Sequence, residues 1–187
     1  MKRLIRLDRV LLAAIVAALA AWPLAQAATA GPAEPVVPGA IQLPEGNKLF
    51  LVGHAAGIQI YSCNITASGH GWALVAPRAN LYDDNGKLLA THFRGPTWQA
   101  NDGSYVVGRV ENQVTVDPTA IPWLRLAAAS TAAGPDGDRL LETTYIQRIS
   151  TTGGLAPAVA ACTAETAGTV EEVPYTADYY FWKATGD

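Results

Sequence analysis

Histidine, cysteine and clustered positive charge are all scarce in this 187-residue chain, which has three histidines, two cysteines and a formal net charge of −3. Each scarcity removes a class of function. Beyond the first nine residues no run of lysine or arginine occurs, so nothing supplies the basic patch that nucleic acid or an anionic membrane surface requires. His54, His70 and His92 stand apart, with no H-x-H or H-E-x-x-H spacing, whereas a zinc site needs three or four ligands. The acidic stretches Asp83-Asp84-Asn85-Gly86 and Asp136-Gly137-Asp138 fall short of a complete oxygen-ligand loop for calcium. Gly69-His70-Gly71 begins like a dinucleotide fingerprint, but Leu74 holds the third glycine position and no strand–turn–helix unit surrounds it. Ser104 lies outside any G-x-S-x-G elbow. No metal and no cofactor is therefore expected.

What is present starts with Lys2, Arg3, Arg6 and Arg9 ahead of the apolar run VLLAAIVAALAA at 10–21. A membrane-spanning helix needs about 20 apolar residues, so this shorter run is read as the core of an export signal. Ala25-Gln26-Ala27 offers a cleavage site, with Ala28-Thr29-Ala30 as a second. Cleavage after Ala27 removes four basic side chains and Asp8, a net +3, taking the formal charge from −3 to −6. The expected organisation is a signal peptide at 1–27, a flexible proline-rich lead-in at 28–44 and a single domain at 45–187. The expected location is secreted or periplasmic, with no membrane attachment after cleavage. In such a compartment Cys63 and Cys162 read most economically as one disulfide, with two free thiols as the alternative.

Helical signals are as sparse as charge. The Ala-rich pieces 127–133 and 156–167 carry Gly or Pro at their edges and hold at most a turn or two. Turn signals, by contrast, recur: Asn85-Gly86, Asp102-Gly103 and Pro135-Asp136-Gly137 each separate two segments of β-type composition. From Ser104 onward, Val106, Gly108 and Val110 alternate with Tyr105, Arg109 and Glu111, the period of a strand. YTADYYFWK near the C-terminus is rich in β-favouring aromatics, and 49–52, 58–63 and 72–75 are shorter strand candidates. The pattern predicts an all-β fold, a single antiparallel β-sandwich or partly closed β-barrel of eight to ten strands.

Candidate site residues fall into two sets. For catalysis, His92 is the one histidine in a polar-rich stretch, THFRGPTWQANDGSYVVGRV at 91–110, with Asp102 or Asp178 as its carboxylate partner and Arg94 or Arg148 to hold an anion. Against this, Asp102 and Ser104 belong to a hairpin turn whose backbone they are suited to satisfy. For binding, tryptophan and tyrosine exceed what turns require, and a ring on a β surface offers a flat apolar face to a sugar or small aromatic molecule. Arg94, Trp98, Trp123, Tyr145, Arg148 and Tyr175 are the ligand-binding candidates. Arg148 and Asp178 interrupt apolar strands and are expected to pair, as a structural tie or a polar pocket floor.

Six blocks resemble the exported domain-of-unknown-function family DUF3455: GIQIYSC (57–63), APRANLYDDNG (76–86), HFRGPTWQANDGSYV (92–106), IPWL (121–124), YIQRISTTGGLAPAVAAC (145–162) and VPYTADYYFW (173–182). The resemblance spans almost all of the exported part in order, and it implies that Cys63 and Cys162 belong to the shared pattern. It implies no activity, since the family has none established. Some fungal relatives carry a malate dehydrogenase label, which the missing Rossmann fingerprint and strand–helix alternation of this chain contradict. The leading expectation is a non-catalytic domain that binds a small molecule or glycan. A small exported enzyme built on His92 and a structural envelope-interaction protein are the alternatives.

Overall fold

The computed structural model describes residues 31–186, so the expected signal peptide at 1–27 lies outside the described residues. Eight strands follow in order: β1 (Asn47–Thr66), β2 (Gly69–Tyr82), β3 (Leu88–Phe93), β4 (Thr97–Ala100), β5 (Tyr105–Val114), β6 (Trp123–Ala132), β7 (Thr143–Gly153) and β8 (Val170–Ala184). Each pairs antiparallel with the next, and β8 pairs back onto β1, so one sheet closes into a ring. Of the two architectures left open by the sequence, the chain adopts the barrel, and the barrel is fully closed. The Ala-rich piece at 127–133 lies mostly within β6, while 156–167 holds only a short 3₁₀ turn, Val159–Ala161.

The turns form where their residues dictate. Gly86 and Gly103 take φ of +75° and +82° at the β2–β3 and β4–β5 reversals. The Asp83 carboxylate accepts the backbone N–H groups of Asn85 and Lys87 at 2.9 Å. Asp102 does the same for Ser104 and Arg139, each at 2.9 Å. The segments 49–52 and 58–63, expected as separate strands, are one strand 20 residues long. Gly57 does not interrupt it because β1 and β2 approach closely there: a Cβ would lie 2.3 Å from the Arg78 carbonyl oxygen and 2.4 Å from the Ala79 Cβ.

Inside the barrel, small residues face large rings. Ala55, Ala79, Ala90, Ala100 and Ala177 are buried among Trp98, Tyr179 and Phe181. Trp98 meets Tyr179 and Phe181 edge-on, at centroid distances of 5.3 and 6.1 Å, contacts worth about 0.5–1.5 kcal/mol each beyond simple burial. Gly108 makes this packing fit, since a Cβ there would stand 3.0 Å from both Trp98 and Leu126. The β6–β7 loop seals part of the core with fully buried Leu140, whose N–H donates to the Ser104 hydroxyl at 3.1 Å.

The lead-in is fixed over its last residues. Ile41 is fully buried, and its carbonyl accepts from the Gln147 amide at 2.8 Å. Asn112 and Arg125 donate to the carbonyls of Ala40 and Gln42. Residues 39–42 thus strap the outer face of β5–β7, a role that the proline and glycine content of the lead-in as a whole did not reveal.

Cys63 and Cys162 form a disulfide across a separation of 99 residues. It ties the β7–β8 connection to β1, beside the backbone bonds that Cys63 exchanges with Gly168 and Thr169. The chain-entropy model gives about 4.7 kcal/mol for a loop of this order, and native disulfides commonly contribute about 2–4. Replacing both cysteines by alanine is expected to lower the unfolding free energy by about 2–4 kcal/mol in chemical denaturation. Unchanged stability would show that the ring closes equally well without the link.

Candidate functional site

The barrel is not filled along its whole length. A cavity of about 440 Å³ is lined by the buried side chains of Trp98, Tyr179, Gln59 and Tyr61, by Arg148, and by the exposed side chains of Leu74, Val75 and Val110. Alternation along each strand sets this lining. On β1, Gln59 and Tyr61 point inward between Ile58 and Ile60, and on β7 Arg148 points inward between Gln147 and Ile149.

His92 sits on the inner face of β3, 3% exposed, stacked on the Trp98 ring at 4.2 Å with planes 9° apart. Its Nδ1 donates to the Thr97 carbonyl at 2.9 Å. A carbonyl only accepts, so Nδ1 carries the proton and Nε2 remains an acceptor. Burial, which disfavours the charged ring, holds the pKa down at about 3, and the nearby Arg148 charge acts in the same direction.

Arg148 is the cation of the cavity. Its Nε and Nη2 both donate to the Pro122 carbonyl, at 3.2 and 2.7 Å. No carboxylate pairs with it among the described residues. Around it stand hydroxyls kept neutral. Tyr61 donates to the Gly154 carbonyl at 2.7 Å, and the Tyr175 and Tyr179 hydroxyls lie 3.4 Å apart. Burial pushes all three phenols above their ordinary range. Two further polar atoms are buried without partners, Gln59 Oε1 and Trp98 Nε1.

The structure does not assemble the expected acid–base set. Asp102 is committed to the β4–β5 turn and the β6–β7 loop, with Ser104 donating its hydroxyl at 2.5 Å. Asp178 points out of the barrel, between inward Ala177 and Tyr179, and binds His54 Nδ1 at 2.6 Å. Its expected partnership with Arg148 is also overturned. The β7–β8 register sets Arg148 opposite Tyr179 and Ile149 opposite Asp178, which puts the two charges on opposite faces. His54 is held on its other side by Asp84 at 2.8 Å, and the bond to Asp178 is the main cause of its raised pKa.

Of the binding candidates, Trp98 and Arg148 line the cavity, and Tyr175 joins them through Tyr179. Arg94 is exposed in the β3–β4 turn. Trp123 and Tyr145 are half-buried on the outer face, each next to an inward residue, Leu124 and Ile146 respectively. Gln59 and Tyr61 escaped the sequence reading. Their alternation with Ile58 and Ile60 is the one signal in the sequence that could have found them. Among the described residues no group of three or more His, Cys, Asp or Glu is arranged to hold a metal ion.

The two histidines bias stability in opposite directions. For His92 the folded pKa of about 3 lies below the unfolded value near 6.5, so the unfolded chain binds the extra proton between them. Its contribution is complete above pH 6.5 and is lost as pH falls toward 3. His54, raised in the folded state, stabilises at low pH and loses that effect as pH rises through its folded pKa. The stability gap between wild type and His92→Phe isolates the first effect. It is expected to narrow by about 2–3 kcal/mol from pH 7.5 to 4.5, and a gap independent of pH would contradict the neutral buried ring.

A family model described as "Protein of unknown function (DUF3455)" matches residues 44–183. No curated protein and no solved structure matches the chain. The match covers well over half of the sequence and includes every strand that lines the cavity, so the chain belongs to the DUF3455 family.

Proposed function

We propose that this is an exported binding protein that takes a small ligand with an apolar or aromatic body into the barrel interior. The observation that carries the reading is the cavity of about 440 Å³, whose lining includes Gln59 and Trp98, each with a buried polar atom, Oε1 and Nε1 respectively, that has no partner. Its volume lies in the range of ordinary small-molecule sites, and a buried polar atom without a partner costs about 1–3 kcal/mol until something satisfies it. The disulfide, together with the charged and apolar segments at the N-terminus, supports the exported setting.

Binding is favoured over acid–base catalysis by the state of the groups present. His92 is neutral and bonded to a carbonyl, and the tyrosines are held protonated. A small ligand is favoured over a glycan by where the rings lie. Trp98 and Tyr175 are buried inside, while Trp123 and Tyr145 stand outside on neighbouring strands with Tyr145 opposite Ala127, four residues along β6 from Trp123, so the candidate rings form no common surface platform. Of the two marks of an envelope-interaction protein, an exposed apolar patch or a free sheet edge, the second is missing, because the described strands close on one another.

Two-dimensional NMR on the disulfide-bonded protein tests this with panels of small aromatic molecules and of cell-wall oligosaccharides. Binders are expected among the aromatics, with the largest shifts at the Trp98 indole N–H and the Gln59 side-chain amide. Shifts centred on Trp123 or Tyr145, or binding confined to the oligosaccharides, would defeat the proposal.

A further inference from the structure

We infer that the ligand is a monocarboxylate, seated with its acid group on the Arg148 guanidinium and its apolar body along the cavity wall; this rests on the binding role proposed above. The first support is charge. Arg78, Arg125 and Lys183 pair with Glu172, Glu111 and Glu142 on the outside of the barrel. Arg148, the one cation lining the cavity, has no acid facing it, and neither Asp nor Glu lines the cavity. An arginine cannot shed its proton, so a partly buried guanidinium calls for an anion supplied from elsewhere. One positive charge matches one carboxylate. A phosphate dianion would need a second cation that the lining does not provide.

The second support is geometry. Nε and Nη2 share the Pro122 carbonyl, which orients the guanidinium plane, and no carboxylate among the described residues takes up its remaining donors. The carbonyl is itself held in place. Thr151 donates its hydroxyl to the neighbouring Ile121 carbonyl at 2.6 Å, and the Ile121 N–H donates to Gly153 at 2.9 Å. A planar donor fork fixed in this way is suited to a carboxylate and loses little freedom on binding it.

The third support is the company around Arg148. The Tyr175 and Tyr179 hydroxyls share one hydrogen bond. When Tyr175 donates, the Tyr179 O–H is free to donate into the cavity that it lines. His92 adds no second positive charge. Proline and aliphatic side chains, Pro77, Pro96, Leu124 and Leu126, complete a wall for an apolar body.

Calorimetric titration of the disulfide-bonded protein with two matched pairs tests the inference: 2-naphthoate against 2-naphthalenemethanol, and decanoate against decanol. In at least one pair the acid is expected to bind 10-fold or more tighter than its alcohol, a preference that disappears in Arg148→Met and is partly kept in Arg148→Lys. The acid's affinity is also expected to stay level between pH 5.5 and 8, because the arginine remains charged and His92 remains neutral. If an alcohol binds as well as its acid in the wild-type protein, the carboxylate inference is overturned while the binding role stands. Should no member of either pair bind, both fail. Wild-type titrations alone decide against the inference, so a misfolded variant does not shield it.

Discussion

The interior of this protein exists because β8 returns to β1. The two strands pair from Asn47 with Ala184 to Ser62 with Val170, and this seam converts a meander of hairpins into a ring. Without it, the inner faces of β1 and β8 would lie at the edges of an open sheet, and Tyr175, Tyr179 and Phe181 would have no opposite wall. Seam pairing is the contact most distant in sequence, so it closes the longest loop and carries the greatest entropic cost of any strand pair. The Cys63–Cys162 link offsets part of that cost, because it fixes the end of β1 beside the segment that leads into β8.

Closure creates a volume, and the choice of side chains divides it. At one level Trp98, Tyr179 and Phe181 fill the space against alanines and Gly108. At the next level Gln59, Tyr61 and Arg148 project from the wall without meeting in the middle, and a cavity remains. Had the second level been built to fill the barrel, large apolar residues would stand where Gln59 and Arg148 do. Polar groups in that position demand partners, which the protein supplies only in part: a carbonyl for Arg148, another for Tyr61, and none for Gln59 Oε1. The same burial that leaves Gln59 unsatisfied strips the charge from His92.

Much of the fold was legible before any coordinates because it is written locally. Asn85-Gly86 and Asp102-Gly103 mark reversals through the backbone demands of their glycines, and the Val106–Val110 alternation marks a strand. The pairing of the two cysteines was the economical reading for an exported chain, and the structure joins them. What could not be read locally was the sign of each face. In a barrel with a polar interior, Gln59 and Tyr61 are the inside residues and Ile58 and Ile60 the outside ones, so hydrophobicity alone reverses the assignment. Arg148 and Asp178 show the same limit. Their attraction was plausible on charge, but a register offset of one residue between β7 and β8 separates them by the full thickness of the sheet.

The two charged residues mistaken for partners have instead been sorted by solvent. Asp178, on the outside, meets a histidine that is also bound by exposed Asp84, and the cluster remains in contact with water, where its charges are well screened. Arg148, on the inside, bonds to the neutral Pro122 carbonyl, with the neutral Tyr179 phenol and the uncharged His92 ring near enough to feel its charge. Neutral dipoles can solvate a guanidinium without cancelling its charge, and the low dielectric around it lengthens the reach of that charge. The Arg148 charge favours the deprotonated forms of His92, Tyr61, Tyr175 and Tyr179, adding to burial at the histidine and opposing it at the three phenols. An interior arranged in this way holds one positive charge among neutral groups, with no acidic side chain lining the cavity to compensate it.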